Sequence, residues 1–127
     1  MSRFTPVVLA MAAFAGVLTA PAAASATPIN SPYVQAAADV SAGGALLRDK
    51  KIVSVTKPAT GQYCVRVAPD VDVANSVVQV ELYDAFERTF RIAPTPQCGN
   101  AANTITVLVW NNNGGTAVDA RFIASVH

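Results

Sequence analysis

Apolar and polar residues alternate along most of the chain from residue 45 onward, and a period of two residues is typical of half-buried β-strands. In the segment 61–67, one face is entirely apolar and consists of Tyr63, Val65 and Val67. The same pattern predicts further strands at 51–57, 76–83, 88–92, 103–110 and 117–126. The strand at 103–110 is apolar on both faces, which suits the middle of a sandwich.

Turn-forming residues separate the predicted strands. Pro58 and Gly61 form a turn, because proline fixes φ and glycine accepts a positive φ, so the first two strands form a hairpin. The segment 111–115 contains only asparagine and glycine and joins the last two strands as a second hairpin. Pro94 and Pro96 end the strand before them, since proline cannot donate to a central ladder. Short strands at regular spacing predict an all-β fold, a small antiparallel β-sandwich of about six to seven strands.

The first 26 residues have the three parts of a secretory signal peptide in the expected order. A short positive start is followed by an apolar run at 7–18, and Ala24-Ser25-Ala26 fits the small-x-small pattern of a cleavage site. The apolar run is shorter than the roughly 20 residues that cross a bilayer, which argues against a transmembrane anchor. We therefore expect cleavage after Ala26 and a secreted, extracellular protein.

The next segment, 27–44, is rich in alanine, serine, proline and glycine and has few large apolar side chains to bury. Pro28 and Pro32 favour an extended backbone, and one helical turn is predicted at 35–40, ended by two glycines. The predicted organisation is a signal peptide at 1–26, a flexible N-terminal leader at 27–44 and a β-sandwich domain at 45–127.

The chain has two cysteines, Cys64 and Cys98, and they predict a disulfide, because an extracellular compartment does not keep thiols reduced. The bond would close a loop of about 35 residues and would contribute roughly 4 kcal/mol in the chain-entropy model. The alternative, a nucleophilic thiol, needs an activating base, and the sole histidine is His127, the last residue, where chains fray. The disulfide is therefore the preferred interpretation.

The net charge of the chain argues against nucleic acid as a partner. Without Arg3, eight basic residues face eight acidic ones, so the exported chain carries no net charge. A neutral chain lacks the basic surface that phosphate neutralisation demands, and no nucleic-acid partner is predicted. The charged run at 48–51 is interpreted as a solvated approach to a strand rather than a polyanion site, since it is short and interrupted by Asp49.

The sequence lacks the residues that most catalytic and metal sites need. A Ser-His-Asp or Cys-His arrangement needs an imidazole in a fixed position, and zinc needs several cysteine or histidine ligands. A weak hydrolase using Glu81 or Asp84 ranks last, because charged residues at a turn are usually solvated. Asp70, Asp72 and Asn75 offer oxygen ligands, but the other positions of known calcium loops are unfilled, so a capped turn is preferred. We expect no enzyme activity, no cofactor and no metal.

The best candidate for ligand contact is Trp110 with the amide side chains Asn111, Asn112 and Asn113. An exposed indole can stack on a sugar ring while amides bond its hydroxyls. The alternative interpretation is structural, since tryptophan at a strand end is often core and Asn-Gly is ordinary turn chemistry.

Three stretches of the chain carry a resemblance to a known group of proteins, at 52–65, 106–111 and 119–122. The first contains Thr60-Gly61-Gln62-Tyr63-Cys64-Val65, and the last reads Asp119-Ala120-Arg121-Phe122. They resemble small exported actinobacterial proteins of unknown function, whose members show a Thr-Gly-x-Tyr-x-Val hairpin and a terminal hairpin with Gly, Asp and Phe. The resemblance covers residues 45–127 and implies export and a β-sandwich fold, with no catalytic motif and no ligand.

These observations favour a non-enzymatic binding or cell-surface-associated module. Its contacts would come from loops at one end of the sandwich, and its partner would be a cell-wall polymer or an extracellular protein. The alternative is a secreted inhibitor of an extracellular protease, acting through the loop 93–98, which Pro94, Pro96 and Cys98 restrict.

Overall fold

The computed structural model describes residues 26–92 and 95–127. This part of the chain contains nine β-strands and one short 3₁₀ turn. The strands are β1 (Thr27–Pro28), β2 (Ala36–Val40), β3 (Leu46–Lys50), β4 (Ile52–Ala59), β5 (Gln62–Val67), β6 (Val78–Leu82), β7 (Glu87–Ile92), β8 (Thr104–Trp110) and β9 (Phe122–Val126). The 3₁₀ turn spans Pro96–Cys98. The predicted signal peptide lies outside the described residues except for Ala26, and no helix within those residues is long and apolar enough to cross a membrane.

The strands form two sheets. The five-stranded sheet has the order β1-β3-β2-β9-β6, and the four-stranded sheet has the order β4-β5-β8-β7. Neighbouring strands are antiparallel, except that β1 runs parallel to β3. The chain crosses from one sheet to the other several times, so residues far apart in sequence become neighbours. The hairpin predicted between the last two strands is therefore wrong: residues 111–115 form a turn, but β8 and β9 lie in different sheets and, within the described residues, are joined at this turn only by the bridge between Trp110 and Ala117.

The hydrophobic core lies between the two sheets. Apolar side chains of β2, β6 and β9 pack against those of β5 and β8. Tyr63 of β5 and Phe122 of β9 are both fully buried and meet edge to face, with ring centroids 4.9 Å apart. Such an aromatic pair contributes about 0.5–1.5 kcal/mol beyond its buried area. The predicted all-β sandwich is confirmed, with nine strands in the described residues instead of about six to seven.

The helical turn predicted in the leader is wrong, because Ala36–Val40 is strand β2, with β3 and β9 on either side. Alternate residues Ala36, Ala38 and Val40 belong to the core, so Asp39 lies on the outer face of the sheet. The predicted start of the β-sandwich domain is therefore too late, since two strands precede it. Small alanine side chains hide the alternation in the sequence, yet they fit a strand enclosed by two neighbours.

Two of the stretches that carry the resemblance meet at Tyr63. Its hydroxyl donates to the carbonyl of Ala42 at 2.6 Å and accepts from the amide of Ala120 at 3.1 Å. The ring packs on Phe122, two residues after Ala120. One buried side chain therefore connects the turn before β3, the strand β5 and the approach to β9.

The same stretches meet a second time at Gly61. Its amide donates to Oδ1 of Asp119 at 2.8 Å, and Nζ of Lys57 lies 3.0 Å from the same oxygen. Gly61 has a φ of +67°, and a Cβ at this position would lie 2.5 Å from the carbonyl oxygen of Val109, so only glycine fits. These contacts give both stretches a structural role.

Candidate functional site

The predicted disulfide is confirmed. Cys64 of β5 is bonded to Cys98 at the end of the 3₁₀ turn, with an S–S distance of 2.07 Å. Cys64 lies on the outer face of the four-stranded sheet, so the bond holds the segment after β7 against that face. Oγ1 of Thr95 also lies 2.6 Å from Oγ1 of Thr106 of β8. No cysteine is free, which excludes the alternative of a nucleophilic thiol.

The loop nominated for protease inhibition is described only from Thr95 onward, and Ala93 and Pro94 lie outside the described residues. Thr95 is buried, and Pro96–Cys98 coils into the 3₁₀ turn. A protease that binds a loop in the manner of a substrate needs an exposed, extended segment, as in strand addition. The described part of the loop does not have that conformation, so inhibition stays a prediction without a structural observation in its favour.

Two side chains of the asparagine loop form hydrogen bonds within the protein, one inside the loop and one to the turn between β6 and β7. Oδ1 of Asn111 accepts from the amide of Asn113 at 2.8 Å, and Nδ2 of Asn112 donates to the carbonyl of Ala85 at 2.8 Å. Trp110 is half-buried at the end of β8. Ligand contact by Trp110 and the three asparagines stays a prediction.

The acidic residues considered for calcium form a capped turn. Asp72 accepts hydrogen bonds from the backbone amide of Asn75 at 3.1 Å and from its side-chain amide at 3.1 and 3.2 Å. Asp70 is paired with Lys51. Within residues 26–92 and 95–127, no three histidine, cysteine or acidic side chains are grouped so as to hold a metal ion.

The carboxylates considered for a hydrolase lie around the turn between β6 and β7. Glu81 is 74% exposed and forms an ion pair with Arg88 at 3.1 Å. Nε of Arg88 also donates to the backbone carbonyl of Val80 at 2.7 Å, which joins the edges of the two sheets. An exposed carboxylate beside an arginine is typical of a solvated ion pair.

A cluster on the outer face of the five-stranded sheet was not anticipated from the sequence. Asp39 of β2 is fully buried, although it is charged and points away from the core. Arg48 of β3 lies opposite Asp39 in the strand register and donates from Nε and Nη2 to its Oδ2, both at 2.9 Å. Arg121 donates from Nε to Oδ1 at 3.0 Å and from Nη2 to Oδ2 at 2.9 Å.

Tyr83 completes this cluster. Its hydroxyl donates to Oδ2 of Asp39 at 3.3 Å, and its ring centroid lies 4.2 Å from Cζ of Arg121. The ring is half-exposed, and the side chains of Arg48 and Arg121 are 47% and 43% exposed. We call the exposed surface of Arg48, Arg121 and Tyr83 above Asp39 the arginine platform.

The electrostatics of the arginine platform follow from one carboxylate facing two guanidinium groups. The hydrogen bonds from Arg121 lower the pKa of Asp39 below its usual value; burial opposes this shift, and Arg48 reinforces it. The carboxylate in turn raises the pKa of Arg48 and of Arg121. The group carries a net charge of one positive unit. Because both arginines use Nε and Nη2 for Asp39, Nη1 of each lies on the opposite edge, where another acceptor can bind.

Comparisons with protein-family models, with curated proteins and with solved structures give no match for this chain. The resemblance to exported actinobacterial proteins therefore stays a prediction. The arginine platform left one signal in the sequence, a single aspartate inside the small apolar run Ala36–Val40. A buried charge is almost always paired, so this aspartate required partners that the sequence alone does not identify.

Proposed function

We propose that this protein is an exported, non-catalytic binding module that attaches to an anionic polymer of the cell surface through the arginine platform. The observation that carries the proposal is the pair of half-exposed guanidinium groups held in place by one fully buried carboxylate. The ligand group is a carboxylate or a phosphate on a saccharide chain, because both match the planar donors of arginine.

Preorganisation is the physical reason for this choice. A free arginine side chain loses about 2 kcal/mol of rotamer entropy when it is immobilised. Asp39 already restricts Arg48 and Arg121, so an incoming anion meets donors that are largely ordered. The exposed ring of Tyr83 offers a flat surface beside them for a sugar ring.

A purely structural role for the cluster is the competing interpretation. Asp39 does join β2, β3 and the segment before β9, and that contribution to stability is real. A single bidentate arginine would neutralise the carboxylate, however, and the second arginine leaves an uncompensated positive charge at the surface. A single exposed charge contact contributes only about 0.2–1 kcal/mol. Stable attachment therefore requires a repeating polymer that engages several molecules or sites at once.

The test is sedimentation of the oxidised protein with purified walls of the producing organism. We expect the wild type to pellet and R48Q to bind up to about fivefold more weakly at each site, which corresponds to the loss of one exposed charge contact of about 1 kcal/mol. R48Q keeps the bidentate contact between Arg121 and Asp39, so its fold is preserved. The matched control is R91Q, which removes an exposed arginine from the outer face of the other sheet.

Two treatments of the walls distinguish the sources of the anion. Amidation of carboxylates abolishes binding if the ligand is a sugar acid, whereas removal of phosphodiester-linked polymers abolishes it if the ligand is phosphate. Added salt weakens either form of attachment. Wild-type protein that remains in the supernatant, or equal binding by wild type and R48Q, contradicts the proposal. In that outcome, titration against a panel of extracellular proteases tests the alternative of inhibition through residues 93–98.

A further inference from the structure

A groove with a volume of about 200 Å³ lies on the outer face of the four-stranded sheet, on the opposite side of the sandwich from the arginine platform. The guanidinium group of Arg66 and the disulfide line it, together with the side chains of Ser54, Thr56, Ala101 and Thr104. None of these residues belongs to the arginine platform, so this site is independent of the proposed function.

The strand register explains how the polar groups converge. Arg66 of β5 lies opposite Ser54 of β4 on one side and opposite Thr104 of β8 on the other. Adjacent strands are about 4.8 Å apart, so these three side chains form a row about 10 Å long across the sheet. Thr56 lies beside Cys64 in the next row. Thr104 is buried and its hydroxyl donates to the carbonyl of Ala102 at 3.2 Å, so the accessible hydroxyl groups beside Arg66 are those of Ser54 and Thr56.

Arg66 differs from the two arginines of the arginine platform, because Arg48 and Arg121 each form an ion pair with Asp39. Arg91 lies on the same outer face as Arg66 and also has no ion pair among the described residues, but it does not line the groove. Among residues 26–92 and 95–127, no ion pair involves Arg66, and its side chain is exposed. A guanidinium group without a counter-ion, flanked by hydroxyl groups in a groove, is suited to a hydroxylated anion.

The disulfide builds one wall of this groove. Cys98 and Ala101 come from the segment between β7 and β8, and the bond from Cys98 to Cys64 holds that segment on the sheet. Without the bond, the residue pair 64 and 98 would be joined only through 34 residues of chain. The shape of the groove therefore depends on the oxidised state of the two cysteines.

We propose that this groove binds a small polyhydroxylated anion, a single sugar ring bearing a carboxylate or a phosphate. Arg66 binds the anionic group, while Ser54 and Thr56 contact the ring hydroxyls. The volume is below the 300–1,000 Å³ of pockets for drug-sized ligands, so the occupant is one ring rather than a long oligomer. An open site of this size binds weakly, with a Kd of about 1 mM.

An NMR titration of the oxidised protein tests the proposal, with glucuronate, glucose 6-phosphate and glucose as probes. We expect saturable shifts of the amides of Thr56, Arg66 and Thr104 with at least one of the acids, and at least about tenfold weaker binding of glucose. Comparison of the two acids distinguishes carboxylate from phosphate recognition. The absence of saturable shifts with both acids overturns the proposal.

Variants separate this groove from the arginine platform. R66Q replaces an exposed side chain, so it should fold normally and bind the acid at least about tenfold more weakly. R91Q, on the same sheet face but outside the groove, should bind the acid like the wild type. Unchanged affinity in R66Q overturns the proposal. The C64A/C98A variant should lose saturable binding, and dispersed amide signals in its spectrum establish that it is still folded.

Discussion

On the outer face of the five-stranded sheet, ion pairs around Asp39 join β2, β3 and the segment before β9. On the outer face of the four-stranded sheet, the disulfide between Cys64 and Cys98 joins β5 to the segment between β7 and β8. Both cross-links connect segments that are distant in sequence, across the surface rather than through the core. They differ in what breaks them, since protonation and salt act on the first and a reductant acts on the second.

This difference also separates the two proposed binding surfaces. The arginine platform presents cations whose positions depend on one carboxylate, so its binding geometry and its stabilising contacts come from the same atoms. In the groove, the disulfide holds one wall in place, and Arg66 takes part in none of the ion pairs among the described residues. Substitution of Arg48 or Arg121 should therefore change stability and binding together, whereas R66Q should change binding alone.

C64A/C98A is expected to lower the free energy of unfolding more than any other proposed variant. A disulfide that spans 34 residues contributes about 4 kcal/mol by restricting the unfolded chain. Urea denaturation of the variant should show a loss of this size, and the wild type in reductant should behave in the same way. A loss below about 1 kcal/mol would contradict this attribution of the stabilisation to the unfolded chain.

D39N is expected to lower the free energy of unfolding by about 2 kcal/mol at neutral pH, less than C64A/C98A. Asparagine keeps the shape of the side chain but loses the charge and replaces one acceptor oxygen with a donor, which faces the arginine donors of Arg48 or Arg121. Urea denaturation at neutral pH measures the loss. If D39N is as stable as the wild type, the buried carboxylate does not cross-link the sheet.

The pH dependence should distinguish the two faces more sharply. Since the folded state lowers the pKa of Asp39, the unfolded state takes up its proton first as the pH falls. The stabilisation is therefore complete above about pH 4 and is lost as the pH falls further through the folded pKa. Unfolding free energies measured from neutral pH to about pH 3 should fall less steeply for D39N than for the wild type.

The C64A/C98A variant is the control for this measurement, because it keeps Asp39 and should reproduce the slope of the wild type. Asp119, whose pKa is lowered mainly by the hydrogen bond from the Gly61 amide, remains in every variant. Some acid sensitivity should therefore persist in D39N. Equal slopes for D39N and the wild type would contradict the role assigned to Asp39.

K57M is expected to change the free energy of unfolding least. Lys57 pairs with Asp119 at 3.0 Å, but Asp119 is partly exposed and keeps its bond from the Gly61 amide. Exposed ion pairs contribute about 0.2–1 kcal/mol, so thermal or urea denaturation should show a loss below about 1 kcal/mol. A loss equal to that of D39N would mean that burial does not distinguish the two carboxylates.

Much of the fold could be predicted because it is encoded locally. Alternation at 61–67 and 103–110 identified the two central strands of the four-stranded sheet, and both are present. The pairing of Cys64 with Cys98 followed from the presence of only two cysteines. Strand β2 was missed because its alanines are small, and a weakly apolar segment shows no clear period before its neighbours are known.

The sequence by itself determined the alternation of the strands, the turns at Gly61 and at residues 111–115, and the pairing of two cysteines. These properties depend on neighbouring residues or on composition, so they can be read without knowing which strands are adjacent. The tertiary structure alone decided that Asp39 faces Arg121, 82 residues away, and that Arg66 lies between Ser54 and Thr104. Strand order creates these contacts, and strand order is set by how the whole chain buries its apolar faces between two sheets.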